Sequence, residues 1–289
     1  MKSNQRSYLL ILGLHVLLAF LIYAVPFLSK IYGFLIPLLG TILILNSKNK
    51  NNEALLICGY IVGVEVFLRM TEGNPIHELS KYLVIVFLVF GMIYKGFSKN
   101  SFIYIVFLLL LIPGVIIGAN ELSFDTNVRK AIAFNISGPV CLAIASLYCY
   151  QRVVTKEQLF KMFVFIGLPI LSMTIYLFLF TPSNKEIFIS TQSNFSASGG
   201  FGPNQVATIF GIGMFIFFSR IILASKTKFQ VIVNLIMALN ITYRGMLTFS
   251  RGGMITGFLM ILFLLLFLYL KSNSGGRILI VGVEGDAIP

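Results

Sequence analysis

Long apolar runs divided by short polar breaks set the pattern of this chain. They cover residues 8–28, 31–45, 54–70, 82–97, 102–119, 136–151, 162–180, 205–224, 231–248 and 252–270, with Gly, Pro, Asn and charged residues in the intervals. A helix needs about 20 apolar residues to cross a hydrocarbon core roughly 30 Å thick, and most of these runs approach that length. Inside lipid every backbone N–H and C=O has to be bonded within the chain, so the helix is the expected form of each run. The pattern predicts an all-α, polytopic integral membrane protein with about ten transmembrane helices, residues 1–271 forming one transmembrane domain. Lys2 and Arg6 precede the first run, but that run is long and has no Ala-x-Ala-like cleavage site, so it is expected to remain as an anchor. Residues 272–289 hold a single short apolar stretch, Ile278–Val283, which cannot cross a membrane. They are expected to form a short cytoplasmic tail at a point where a longer chain has been cut. The chain carries no internal repeat, low-complexity tract or soluble domain.

Composition agrees with the pattern. Hydrophobic residues make up 57% of the 289 positions and charged ones 11%, against about a quarter charged in soluble domains. A net charge of +12 would suggest nucleic acid in a soluble protein. In a membrane protein, cytoplasmic loops rich in Lys and Arg account for it, and no nucleic-acid partner is predicted. With the N-terminus in the cytoplasm, fourteen of the 22 Lys and Arg fall on the inner side. Lys30, Arg69, Lys81, Arg129, Lys130, Lys185, Arg244 and Arg251 fall on the outer side. Cys58, Cys141 and Cys149 lie in apolar segments, and His15 and His77 are far apart. Neither set has disulfide-framework or metal-ligand spacing, so no metal is predicted.

The outer basic residues are the ones that orientation does not explain. Charge in or beside a bilayer is costly and marks candidate sites. Arg69 follows Glu65 by four residues, a spacing that lets the two pair along one helix face. Arg244 and Arg251 are seven residues apart in Arg-Gly-Met-Leu-Thr-Phe-Ser-Arg-Gly-Gly. If one helix runs through both, their guanidiniums share a face, roughly 10 Å apart along the axis. Such planar forks suit phosphate or carboxylate oxygens. Snorkelling to the interface is the plainer explanation for any one of these side chains. In the outer loop Thr181–Asn204, Gly199, Gly200 and Gly202 allow unusual backbone angles and close approach to a ligand. Pro203 suits a first helical turn, and Asn204 can cap or bond there. A helix start of this kind is a natural anion site, and ordinary turn chemistry before a span is the alternative. No Gly-Lys-Ser/Thr follows, which excludes a P-loop.

Three segments carry a resemblance: Gly199-Gly-Phe-Gly-Pro-Asn-Gln-Val-Ala207, Leu247-Thr-Phe-Ser-Arg-Gly-Gly253 and Arg129-Lys-Ala-Ile-Ala-Phe-Asn-Ile-Ser-Gly-Pro139. Across residues 125–271 the chain resembles the O-antigen ligase and O-antigen polymerase family of bacterial envelope enzymes. The resemblance implies a multi-pass glycosyltransferase of the bacterial inner membrane, working on its outer face without metal, cofactor or nucleotide sugar. The partners it implies are an undecaprenyl-diphosphate-linked glycan and an acceptor, either another glycan or lipid A–core. It implies diphosphate binding by Arg251, with Arg244 and Arg129 as further matches, and Arg69 joins them as a candidate from its outer-side position near a span end. The loop residues Gly200, Gly202, Asn204 and Ser250 would lie against substrate.

The histidine-bearing outer loop of that family has no counterpart here, and no general base is assigned. Glu65, Glu72, Glu78, Glu121 and Asp125 are the outer carboxylates that could accept a proton. Two other readings stay open from sequence: a transporter or flippase of lipid-linked saccharides, and an inactive fragment of a transferase.

Overall fold

A computed structural model describes residues 2–121, 127–180 and 193–271. The first part of the outer loop, Asp125 and the tail 272–289 lie outside these residues. The described residues are helical with no strand, as the apolar pattern predicts. In chain order the helices are α1 (Lys2–Ala24), α2 (Phe27–Ser47), α3 (Glu53–Met70), α4 (Leu79–Lys95), α5 (Phe102–Leu110), α6 (Ile112–Glu121), α7 (Val128–Cys149), α8 (Lys156–Phe180), α9 (Pro203–Leu223), α10 (Lys228–Leu247) and α11 (Arg251–Lys271).

Among the described residues seven stretches are long and apolar enough to cross a membrane, which makes this a multi-pass membrane protein: α1, α2, the Lys99–Glu121 run, α7, α8, α9 and α11. The other three runs are shorter or more polar than these seven. Helix α3 carries Glu53, Glu65 and Arg69 in 18 residues. Helix α4 has 17 residues, a rise of about 25 Å. Helix α10 places Asn234, Asn240 and Arg244 along its length. The run read from sequence as one helix over 102–119 is interrupted at Leu111. Pro113 has no N–H to donate, and its ring crowds the carbonyl of Leu109, so the ladder resets there.

The chain forms two compact units. The first comprises Met1–Ser29, Gly63–Gly73 and Phe163–Pro289, the second Lys30–Val62 and Asn74–Met162. In the first unit Ile170, Leu171, Met173 and Leu177 of α8 are buried with Phe210 and Phe217 of α9 and Ile241 of α10. A buried polar network ties α1, α9 and α10 at one end of this unit. Tyr8 Oη donates to Asn234 Oδ1 at 2.6 Å, and Asn234 Nδ2 donates to Ser225 Oγ at 3.0 Å. Ser225 Oγ donates in turn to the Arg220 carbonyl at 2.8 Å. The buried Arg220 guanidinium lies 4.6 Å from the centre of the Tyr8 ring.

In the second unit Phe87, Leu88 and Tyr148 are buried. Asn49 sits among them, donating through Nδ2 to the Gly91 carbonyl (3.2 Å) and to Tyr148 Oη (2.9 Å). Its Oδ1 accepts from the Ala54 N–H at 3.0 Å, which fixes the turn between α2 and α3. Along both units large apolar side chains point outward in long rows, from Leu10 and Phe34 to Phe263 and Leu270. Water would not tolerate so continuous an apolar surface, and acyl chains would.

Candidate functional site

The two late motifs of the sequence meet in the first unit, through helices that lie against each other almost without side chains. Helices α9 and α11 run parallel, with residue 204 beside 250, 207 beside 253 and 211 beside 257. A Cβ on Gly253 would stand 2.5 Å from the Ala207 carbonyl carbon and closer still to the Thr208 nitrogen. One on Gly257 would stand 2.6 Å from the Gly211 carbonyl oxygen, and one on Gly211 would strike the Gly253 carbonyl. Ala207-x-x-x-Gly211 and Gly253-x-x-x-Gly257 thus form a small-residue seam of the kind that brings membrane helices into backbone contact. The second glycine of Ser-Arg-Gly-Gly is a packing residue.

At the head of this seam Ser250 Oγ donates to Asn204 Oδ1 at 2.8 Å, a direct bond between the two motifs. The turn that delivers Ser250 is tightly made. Helix α10 stops at Leu247, Thr248 Oγ1 donates back to the Gly245 carbonyl (2.7 Å) and Phe249 takes a left-handed φ of 53°. A non-glycine residue is uncommon there. The turn also receives the segment before α9: the Asn194 N–H donates to the Thr248 carbonyl at 2.9 Å. Asn194 in turn accepts from the Ala197 N–H at Oδ1 (3.0 Å) and from Ser198 Oγ at its carbonyl (2.7 Å).

Gly199 and Gly200 take φ of 68° and 74° in that coil, as the glycine-rich loop predicts. Gly202 differs. Its φ is −52°, open to any residue, and the nearest atoms a Cβ would meet belong to the end of the flexible Gln205 side chain. Pro203 opens α9 as expected. Asn204 does not cap the helix and uses its oxygen to hold Ser250.

Beside this contact a cleft of about 600 Å³ runs along the seam. Asn204, Ser250 and Gly252 line its polar head, and Thr208, Ile212 and Met260 its apolar length. Helices α9 and α11 both begin here, so the unbonded N–H groups of α11's first turn add positive potential to the head of the cleft.

The four sequence-singled arginines take different positions. Arg251 is exposed as the first residue of α11, between Ser250 and Gly252 of the cleft. Arg244 is 5% exposed, its guanidinium 3.9 Å from the centre of the Phe178 ring. The helix that would have put it on one face with Arg251 is broken over 248–250, so that expected alignment does not form. Arg69 binds Glu65 at 2.7 Å, as their spacing predicts. None of these three lines the cleft. Arg129 belongs to the second unit, where it lines a separate cleft of about 460 Å³ with Tyr82, Ile132 and Ser137. Lys81 donates to Ser137 Oγ there at 3.1 Å, and His77 stacks on Phe134.

The seam glycines 211 and 257, the packing role of Gly253 and the ring of Phe178 were missed from sequence. The two small-x-x-x-small spacings were the available signal for the glycines, and Phe178 had none. Among the described residues no three His, Cys, Asp or Glu side chains gather as a metal site. The chain matches no protein-family model, no curated protein and no solved structure.

Proposed function

We propose that this chain is a membrane glycosyltransferase of the O-antigen ligase or polymerase type. In this reading it crosses the bacterial inner membrane ten times from a cytoplasmic N-terminus. On the outer face it transfers a glycan from undecaprenyl diphosphate to a hydroxyl of a second glycan or of lipid A–core. The observation that carries the proposal is the Ser250–Asn204 bond, which joins Gly-Phe-Gly-Pro-Asn to Ser-Arg-Gly-Gly, with the exposed Arg251 set in sequence between Ser250 and Gly252, two residues that line the cleft.

The chemistry follows from the charge that moves. As the bond between the anomeric carbon and the phosphate oxygen opens, negative charge grows on the leaving diphosphate. The Arg251 guanidinium and the first-turn N–H groups of α11 supply fixed positive charge at that point, and the planar fork holds two phosphate oxygens where an ammonium holds one. The apolar length of the cleft suits a hydrocarbon tail. The acceptor hydroxyl loses its proton to a group outside this constellation. Arg244, stacked on Phe178, supports the turn that presents Ser250 and Arg251.

Arg251→Lys, expressed in a polysaccharide-producing bacterium in place of the parent, is expected to lower transfer about 10²–10³-fold with the protein level unchanged. Wild-type surface polysaccharide in that strain overturns the proposal. Purified protein given a lipid-linked oligosaccharide without nucleotide separates a transferase, which lengthens or transfers the glycan, from a flippase, which leaves it intact.

A further inference from the structure

The second unit carries a cationic cleft that takes no part in the proposed chemistry. We infer that the cleft between the α4–α5 and α7–α8 turns is a binding site for the phosphate of an anionic phospholipid headgroup. It encloses about 320 Å³ and is lined by Asn52, Lys95, Phe97, Tyr150, Arg152 and Val153, with neighbouring loop residues. None of its lining residues is acidic.

Both cations are held in place by neutral oxygens. Arg152 Nε donates to the Tyr148 carbonyl at 2.8 Å, Nη2 to the Gly96 carbonyl at 2.6 Å and Nη1 to Asn52 Oδ1 at 3.4 Å. Its guanidinium also lies 3.7 Å from the centre of the Tyr148 ring. Lys95 Nζ donates to the Lys50 carbonyl at 2.6 Å. These contacts orient two full charges and neutralise neither, and an anion in the cleft would do so.

The walls are preformed. Asn52 Nδ2 donates to the Val153 carbonyl and to Gln158 Oε1, both at 3.2 Å, and Ser98 Oγ donates to Gln151 Oε1 at 2.7 Å. Asn52, Gly96 and Gln151 hold left-handed φ values around the opening. Ordering the site on binding therefore costs little.

The rim points to lipid as the source of the phosphate. Val153 is 85% exposed, Phe97 50% and Tyr150 37%, so apolar side chains surround a polar, cationic floor. The cleft lies where α4 and α7 end and α8 begins, and the ends of helices long and apolar enough to span, as α7 and α8 are, are where a chain meets the membrane surface. Basic pockets between membrane helices bind anionic headgroups, each Lys or Arg near the surface contributing about 1 kcal/mol.

The test is a titration of short-chain phosphatidylglycerol, phosphatidylcholine or inorganic phosphate into the purified full chain in neutral detergent, followed by thermal melting. Phosphatidylglycerol is expected to raise the melting temperature saturably, and Lys95→Gln to weaken its binding about fivefold. Lys95 is exposed and bonds one carbonyl, so this variant is expected to melt like the parent without lipid. Phe97→Ser is expected to weaken phosphatidylglycerol and leave inorganic phosphate unchanged. Equal stabilisation by inorganic phosphate and phosphatidylglycerol, with Phe97→Ser neutral to both, overturns the lipid source and leaves a free-phosphate cleft. Equal binding of phosphatidylglycerol by the parent and Lys95→Gln, or no response of the parent to either anion, overturns the site. Transfer activity is not the readout, so failure here leaves the transferase proposal untouched.

Discussion

Helix α9 is held at its two ends by opposite means. At its start glycines on α9 and α11 remove side chains until backbone meets backbone, and at its finish Tyr8, Asn234, Ser225 and Arg220 fill the interior with polar atoms. The first arrangement leaves Asn204, Ser250 and Gly252 on the wall of a cleft. In the second, Tyr8 and Asn234 are buried and bonded to each other, and the Tyr8 ring covers the Arg220 guanidinium. Close packing by small residues thus coexists with an open site beside it, whereas packing by hydrogen bonds consumes the groups that would make one.

The sharpest way to break the first arrangement is Gly253→Leu. Its new side chain meets backbone, which cannot swing aside, so a loss of about 3 kcal/mol is expected, the upper end for overpacking. Melting of the purified protein in detergent measures it. Gly252→Ala is the control, because a Cβ there meets nothing and a change within about 0.5 kcal/mol is expected.

Tyr8→Phe tests the second arrangement. It strands the Asn234 oxygen where Asn234 has no exposure, and about 2 kcal/mol should be lost. The same kind of deletion at the open end, Ser250→Ala, removes a bond to an exposed Asn204 that water can replace, so the loss should be about 0.5 kcal/mol. A Ser250→Ala penalty as large as that of Tyr8→Phe would show that the open end is as dry as the buried one. Last, Arg251→Ala should leave the stability within about 0.5 kcal/mol of the parent while abolishing polysaccharide output.

Apolar periodicity and length made the helical membrane fold legible, and four-residue spacing made the Glu65–Arg69 pair legible. Pro203 and the left-handed Gly199 and Gly200 were readable because those residue types have few alternative uses. The break between Arg244 and Arg251 was not. Thr248, Phe249 and Ser250 include neither Gly nor Pro, and the turn depends on a Phe in a conformation it rarely adopts. Nor could charge alone separate Arg244 from Arg251. One is covered by a ring from a helix more than sixty positions earlier, and the other stands clear. Arg220 is one of the fourteen inner-side cations that orientation alone accounts for, yet it is buried against Tyr8.

Among the described residues of α11 Gly257 is the one fully buried position, while Phe258, Phe263, Phe267 and Leu270 all face outward. The helix is therefore fastened by its main chain along one narrow stripe. Evolution is free to rewrite the remaining letters with any oil-soluble alphabet, so closely allied proteins could drift apart over 258–270 while keeping the stripe at 253 and 257 unaltered.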